Sequence, residues 1–273
     1  LTGSSDGCRF YTIFRDSRGY LWLGGTNGLI RRSRNGDVKW YMMENDKYPL
    51  KHNRIRSICE DSRYELWIAT DGGINRYDYV KEQFVNYIVT DSTHIYNANW
   101  AYGVIDDRQG NMWVGSYLGG LLAVNRGRLV ASDGECVADL SFNATNGLPN
   151  NMINQLVLAR DGDLWASLYK SGELVKIDYR ANVLPSVKVI DICESYIQYI
   201  IADRHSDGGL WCGYHNGFAR VSSADTVTAR YTFPVAFDID VYAMALLRKD
   251  LWITTSHGVW VMNTDSCTMQ RLR

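Results

Sequence analysis

One phrase recurs six times along the chain and sets the scale on which it can fold. Trp22, Trp67, Trp113, Trp165, Trp211 and Trp252 stand 45, 46, 52, 46 and 41 residues apart, each preceded by Leu or Met. The surrounding text reads DSRGYLWLGGTNGL from Asp16, DSRYELWIATDGGI from Asp61 and DRQGNMWVGSYLGGLL from Asp107. It continues as ARDGDLWASLYKSGEL from Ala159, DRHSDGGLWCGYHNGF from Asp203 and RKDLWITTSHGVW from Arg248. A glycine follows each tryptophan by six or seven positions: Gly28, Gly73, Gly120, Gly172, Gly217 and Gly258. Periods of this length belong to repeat architectures, in which each unit buries its apolar faces only against its neighbours.

Each unit reads as four short strands. The first is apolar, as in Ile55 to Cys59 or Ile153 to Leu158. A polar Asp-x-x-Gly type of turn suits a tight hairpin into the strand bearing the Leu-Trp pair. After the glycine comes a third strand such as Gly73 to Tyr77, closed by Asp78, Asn125, Asp178 or Asn263. The fourth is more polar, as in Phe84 to Val89 or Thr228 to Phe233. No stretch sustains a 3.6-residue apolar period, so almost no helix is expected. The fold class expected is all-β: a β-propeller of four-stranded antiparallel blades, a six-bladed ring or part of a seven-bladed one, with residues 1–273 as a single propeller domain. All six tryptophans read as structural, filling the space between stacked blades.

Totals exclude several functions. A net charge of −1 offers no basic excess for a nucleic-acid backbone, and no apolar run is long enough for a membrane helix. Leu1 to Gly7 lacks the basic and apolar regions of a signal peptide, and the chain opens on Leu, so it reads as a piece of something longer. Six scattered cysteines without a C-x-x-C pair remove the usual zinc and redox motifs; free, mostly buried thiols are expected. No cofactor or metal is implied. The sequence holds no H-E-x-x-H and no phosphate-binding glycine loop, and its five histidines show no ligand spacing.

Antiparallel connectivity divides a propeller blade's loops between two faces. One collects the Asp turns, Asp16, Asp61, Asp107, Asp161 and Asp203, which read as caps of their own hairpins. The other collects the turns between second and third strands and the links between blades, whose residues differ from unit to unit. Candidate ligand-binding residues on that face are Asn27, Asp71, Trp100, Tyr117, Tyr169, Tyr214, His215 and His257, with no catalytic residue assigned. Aromatic rings beside Asn, Asp and His suit a sugar or peptide, and loops on a rigid scaffold are where binding concentrates.

The phrase D-x-x-G-x-L-W-x-G-T-x-x-G-L, with lead-ins Leu50-Lys51-His52-Asn53 and Gly147-Leu148-Pro149-Asn150-Asn151, resembles the two-component regulator propeller repeat. Asn53, Asn99 and Asn151 each stand fourteen residues before a tryptophan. The resemblance runs from Phe10 to Arg273 and is strongest in the second and third units. It implies the periplasmic sensor region of a hybrid two-component histidine kinase of the kind found in gut Bacteroidetes, detecting oligosaccharides and regulating carbohydrate use. The partners it implies are an oligosaccharide ligand or adjoining receptor domains, with a homodimer among the assemblies it allows and neither nucleic acid nor membrane contact for this segment. Two alternatives stand beside it. A streptogramin-lyase-like propeller enzyme would use His215 and His257, and a scaffold propeller would bind protein alone.

Overall fold

The computed structural model describes residues 9–44, 49–160, 162–179, 184–205 and 208–272. Asp161 and Cys8 lie outside them. The chain forms six four-stranded antiparallel blades, the β-propeller architecture. Blade 1 comprises β1 (Phe10–Arg15), β2 (Leu21–Gly25), β3 (Gly28–Arg32) and β4 (Val38–Tyr41). Blade 2 comprises β5 (Ile55–Glu60), β6 (Leu66–Thr70), β7 (Gly73–Asp78) and β8 (Gln83–Thr90). Blade 3 begins with β9 (Ala101–Asp106), β10 (Asn111–Ser116) and β11 (Leu121–Asn125). A helix α1 (Arg126–Ala131) and β12 (Glu135–Val137) intervene before its last strand, β13 (Leu140–Phe142). Blade 4 comprises β14 (Ile153–Leu158), β15 (Leu164–Leu168), β16 (Glu173–Asp178) and β17 (Ser186–Asp191). Blade 5 comprises β18 (Ile197–Ala202), β19 (Leu210–Tyr214), β20 (Gly217–Val221) and β21 (Val227–Thr232). Blade 6 comprises β22 (Val241–Leu247), β23 (Asp250–Thr255), β24 (Gly258–Asn263) and β25 (Met269–Arg271).

Two compact units divide the chain: Leu1–Asn146 with Asn150–Asn154, holding blades 1 to 3, and Gly147–Pro149 with Gln155–Arg273, holding nearly all of blades 4 to 6. Within each, a core forms wherever the tryptophan face of one blade meets the next blade. In the first unit Trp22 packs with Ile55, Leu66, Ile68 and Tyr77 of blade 2, and Trp67 with Ala101, Val104, Met112 and Val114 of blade 3. In the second, Trp165 packs with Ile197, Ile200 and Leu210 of blade 5, and Trp211 with Val241, Met244 and Leu251 of blade 6. A buried ring of this size removes roughly 150–250 Å² from water, so truncating one to Ala costs about 3–5 kcal/mol. Trp252 differs from the others: it is half-buried, and among the described residues its buried indole N–H finds no hydrogen-bond partner.

The hairpin aspartates cap their turns as expected. Asp16 Oδ1 accepts from the Tyr20 N–H, Asp61 Oδ1 from Arg63 and Glu65, Asp107 Oδ1 from Gln109 and Asn111, and Asp203 Oδ1 from His205. The second carboxylate oxygen has a role the repeat phrase does not announce. Asp16, Asp61, Asp107 and Asp203 each accept the indole N–H of their own blade's tryptophan through Oδ2, at 2.8, 2.8, 3.3 and 3.3 Å. In the first unit the same oxygen also accepts from the following blade. Tyr79, next after β7, donates its hydroxyl to Asp16 at 2.8 Å; Arg126, next after β11, donates to Asp61 at 2.6 Å. Blade 4 has Ala159 at this position, and Lys176 instead pairs with Asp163 and lies 5.2 Å from the Trp165 ring.

The 52-residue spacing between Trp113 and Trp165 has a structural cause. The excess is the α1–β12 insertion, and β12 pairs in parallel with β8, giving blade 2 a fifth strand. Covering an edge strand in this way removes a row of unpaired backbone groups from solvent. The helix is a single short element, so the expectation of almost no helix holds. Among the described residues no helix is long and apolar enough to cross a membrane. The described cysteines are free: Cys136 and Cys212 are buried, Cys59 and Cys193 half-buried, and Cys267 exposed. Glycine is required at Gly73, where φ is +99° and a Cβ would stand 2.6 Å from the Tyr87 carbonyl oxygen.

Asp61 illustrates how strongly the capping carboxylate is held. Burial pushes its pKa up, but the Glu65 N–H, Trp67, Arg126 and the Arg63 N–H together outweigh burial and hold it below the usual carboxylate range. A folded-state pKa below the unfolded value stabilises the protein above the ordinary carboxylate range, and that stability is lost as pH falls toward the folded value. Asp61→Ala is expected to cost about 1–3 kcal/mol, because it leaves the buried Trp67 indole N–H without its acceptor while Arg126 keeps Glu65. Chemical denaturation across an acid pH series measures both effects, and the variant should lose most of the wild-type dependence arising from this site.

Candidate functional site

Every blade whose register between first and second strands is described carries a β-bulge near the start of its first strand. The register shifts fall between Phe10 and Thr12, Ile55 and Ser57, Ala101 and Gly103, Ile197 and Tyr199, and Val241 and Ala243. The extra residues are Tyr11, Arg56, Tyr102, Gln198 and Tyr242. A bulge re-aims its side chain out of the regular alternation, and bulges concentrate where a sheet meets a site. The turn after the second strand sits beside the same strand end. The N–H of Thr26 donates to Arg9 O, that of Asp71 to Arg54 O, that of Tyr117 to Trp100 O, and that of Ser256 to Asp240 O. Each such blade thus presents a turn residue, a link residue and a bulge residue together.

In the first unit these positions join into a connected cluster. Arg56 forms a two-pronged ion pair with Asp71 at 2.7 and 2.9 Å, and its guanidinium lies 4.0 Å over the Tyr102 ring. Charge pairing with Asp71 keeps the Arg56 pKa above its ordinary value although burial opposes it. Tyr102 stacks on Tyr117 with ring centroids 5.0 Å apart, and Tyr117 meets Trp100 at 5.7 Å. Trp100 is 48% exposed. A cavity of about 340 Å³ opens beside it, lined by Ile95, Asn97, Asn99, Trp100, Ser116, Leu118 and Gly119. Asp71, Trp100 and Tyr117 are therefore brought together, whereas Asn27 is exposed on blade 1, its carbonyl accepting the Trp40 indole N–H.

In the second unit the marked residues are more dispersed. His215 Nδ1 lies 3.0 Å from Asp240 and Nε2 3.7 Å from Asp238, so both ring nitrogens face carboxylates. The hydrogen bonds from His215 and from Gln198 hold the Asp240 carboxyl below its usual range. His257 is exposed, its ring tilted against Phe237 with centroids 4.6 Å apart and hydrogen-bonded to Ser256. Tyr169 is half-buried, with Lys170 5.6 Å from its ring. Tyr214 is 8% exposed, packed in the core with its hydroxyl on the Phe218 carbonyl, so its ring is unavailable for stacking on a ligand. Position in a turn does not reveal this, since burial depends on how blade 5 fills its interior. Among the described residues no three His, Cys, Asp or Glu side chains form a group suited to a metal ion.

Arg56 and Tyr102 are the residues the sequence reading passes over. Their signal lies in the repeat register: both stand eleven residues before their tryptophan, as does Tyr11, and are large polar or aromatic residues inside an otherwise apolar strand.

The family model for the two-component regulator propeller matches residues 4–27 and 49–72. Two solved structures of the extracellular domain of one B. thetaiotaomicron protein, assigned as a one-component or a hybrid two-component system, are 35% identical over 100% of this chain, with TM-scores of 0.90. The chain spans only 38% and 37% of those two structures. Virginiamycin B lyase of Staphylococcus aureus, solved with quinupristin, shares the fold at a TM-score of 0.73 but only 16% identity, covering 99% of this chain and 86% of the lyase. No curated protein is significantly similar in sequence.

If the cluster is a preorganised stack, its anchor should be Arg56. Arg56→Ala is expected to cost about 2–4 kcal/mol, the worth of a charged hydrogen bond plus a cation–π contact. Near-ultraviolet circular dichroism should lose aromatic intensity while the far-ultraviolet spectrum stays unchanged.

Proposed function

The chain carries two-component regulator propeller repeats, and from that premise we propose that it is an extracytoplasmic sensor module of a hybrid two-component histidine kinase. The observation that carries this reading is the 35% identity maintained over 100% of the chain to the extracellular domain of such a system. On this reading the module faces the periplasm, has no enzymatic activity of its own, and belongs to a receptor whose kinase lies elsewhere in the protein. Its ligand is an oligosaccharide, and the response controls carbohydrate-utilisation genes. Support for a saccharide comes from the first unit, where exposed and half-buried rings stand beside carboxamides on a rigid blade end. The lyase likeness, at 16% identity, supports a common fold and no common chemistry. Adjoining receptor domains, or a second copy of the chain, are the partners through which binding would alter signalling. Such a ligand acts only by favouring one receptor state over another.

A thermal-shift screen against oligosaccharides tests the binding step. A ligand at about 100 times its Kd adds about 2.7 kcal/mol, equivalent to a rise of roughly 5–10 °C in the midpoint for a domain of this size. A selective rise is expected. A uniform lack of response from folded protein removes direct sugar binding from the function.

A further inference from the structure

The cavity beside Trp100 has a composition that specifies its occupant more narrowly than the class of sensor does. None of its seven lining residues is ionisable: three side chains are apolar (Ile95, Trp100, Leu118), three are neutral polar (Asn97, Asn99, Ser116), and Gly119 has none. Arg56 is committed to its two-pronged pairing with Asp71, a carboxylate that Arg54 also approaches at 3.5 Å. An anionic ligand would find no counter-charge among the lining residues, and its carboxylate would lose hydration without compensation.

The polar groups are of two kinds. Ser116 is committed, its hydroxyl donating to the Asn97 carbonyl at 2.8 Å and accepting from the Gly119 N–H at 3.0 Å. Among the described residues the Asn99 carboxamide makes no hydrogen bond, and the Asn97 amide nitrogen donates none. Carboxamides offer a donor and an acceptor at fixed separation, as vicinal hydroxyls require. Beside them Trp100 presents a half-exposed ring face. That face is backed by Tyr117, then Tyr102, then the Arg56–Asp71 pair, so little orientational freedom remains to be lost on binding.

We propose that this cavity is the saccharide subsite of the module and that it takes a neutral pyranose unit. The C–H face of the sugar stacks on Trp100, its hydroxyls meet Asn97 and Asn99, and uronic or sulfated sugars are excluded. The inference rests on the reading of the module as an oligosaccharide sensor. Trp100 and Asn99 are binding residues; Arg56 and Asp71 position the stack without touching the sugar.

Titration calorimetry of the chain against neutral cello-, malto-, xylo- and manno-oligosaccharides and against acidic oligogalacturonate tests it. A neutral member should bind, at least tenfold more weakly to Trp100→Ala and several-fold more weakly to Asn99→Ala. Both variants change exposed side chains, and unchanged melting temperatures would verify that they remain folded. Equal affinity in Trp100→Ala, or binding of the acidic oligomer alone, overturns the assignment while leaving a saccharide sensor in place. Absence of binding by every saccharide, neutral or acidic, overturns both.

Discussion

The carboxylate that accepts a tryptophan indole is the contact on which each unit's packing turns. A tryptophan filling the space between two blades contributes most when its N–H finds a partner, because an unmet buried donor forfeits a substantial part of what burial contributes. The hairpin aspartate supplies that partner and simultaneously closes its own turn, joining the apolar layer to the polar rim. In blades 1 and 2 it does more, taking a further donor, Tyr79 or Arg126, from the blade that follows. One side chain then holds a turn, a core ring and a neighbouring sheet. Where the aspartate is missing the consequences are visible: blade 4 substitutes a Lys176–Asp163 pair, and the Trp252 indole of blade 6 has no partner among the described residues.

Rigidity at the rim has consequences at the opposite end of the blades. There, bulges in five blades each turn a side chain out of the strand pattern, and in four of these the neighbouring turn and link are hydrogen-bonded to one another. The backbone frame repeats while the side chains on it do not. Arg56 and Asp71 on blade 2 and Tyr102, Tyr117 and Trp100 on blade 3 occupy equivalent frame positions yet form one continuous stack. A repeat scaffold can in this way vary its recognition chemistry without disturbing the layers beneath.

The α1–β12 insertion adds a second link between blades 2 and 3, the two that carry the stack. Its strand seals the outer edge of blade 2 by parallel pairing, and Arg126 at its start enters the buried carboxylate network of the same blade. The outer edge of blade 2 is therefore covered by a strand that blade 1 lacks.

Much of this was legible from the chain. Six tryptophans at near-constant spacing, the Asp turns and the glycines determined an all-β repeat of four-stranded blades, because only stacked sheets bury so regular an apolar pattern. Strand limits such as Ile153–Leu158 followed from apolar runs between turn residues. Spacing also marked Asp71, Trp100 and Tyr117 as residues of one face. What periodicity could not supply was anything set by a single displaced residue or by packing between blades. The bulges that expose Arg56 and Tyr102 are one-residue register slips, invisible in a two-residue alternation. Tyr214 looked like its turn-borne counterparts, yet it is drawn inward because blade 5 has space for its ring. The partner of each tryptophan, and the side chains that gather into a site, were decided by tertiary structure, since hydrogen bonds and stacking act through distances that sequence separation does not encode.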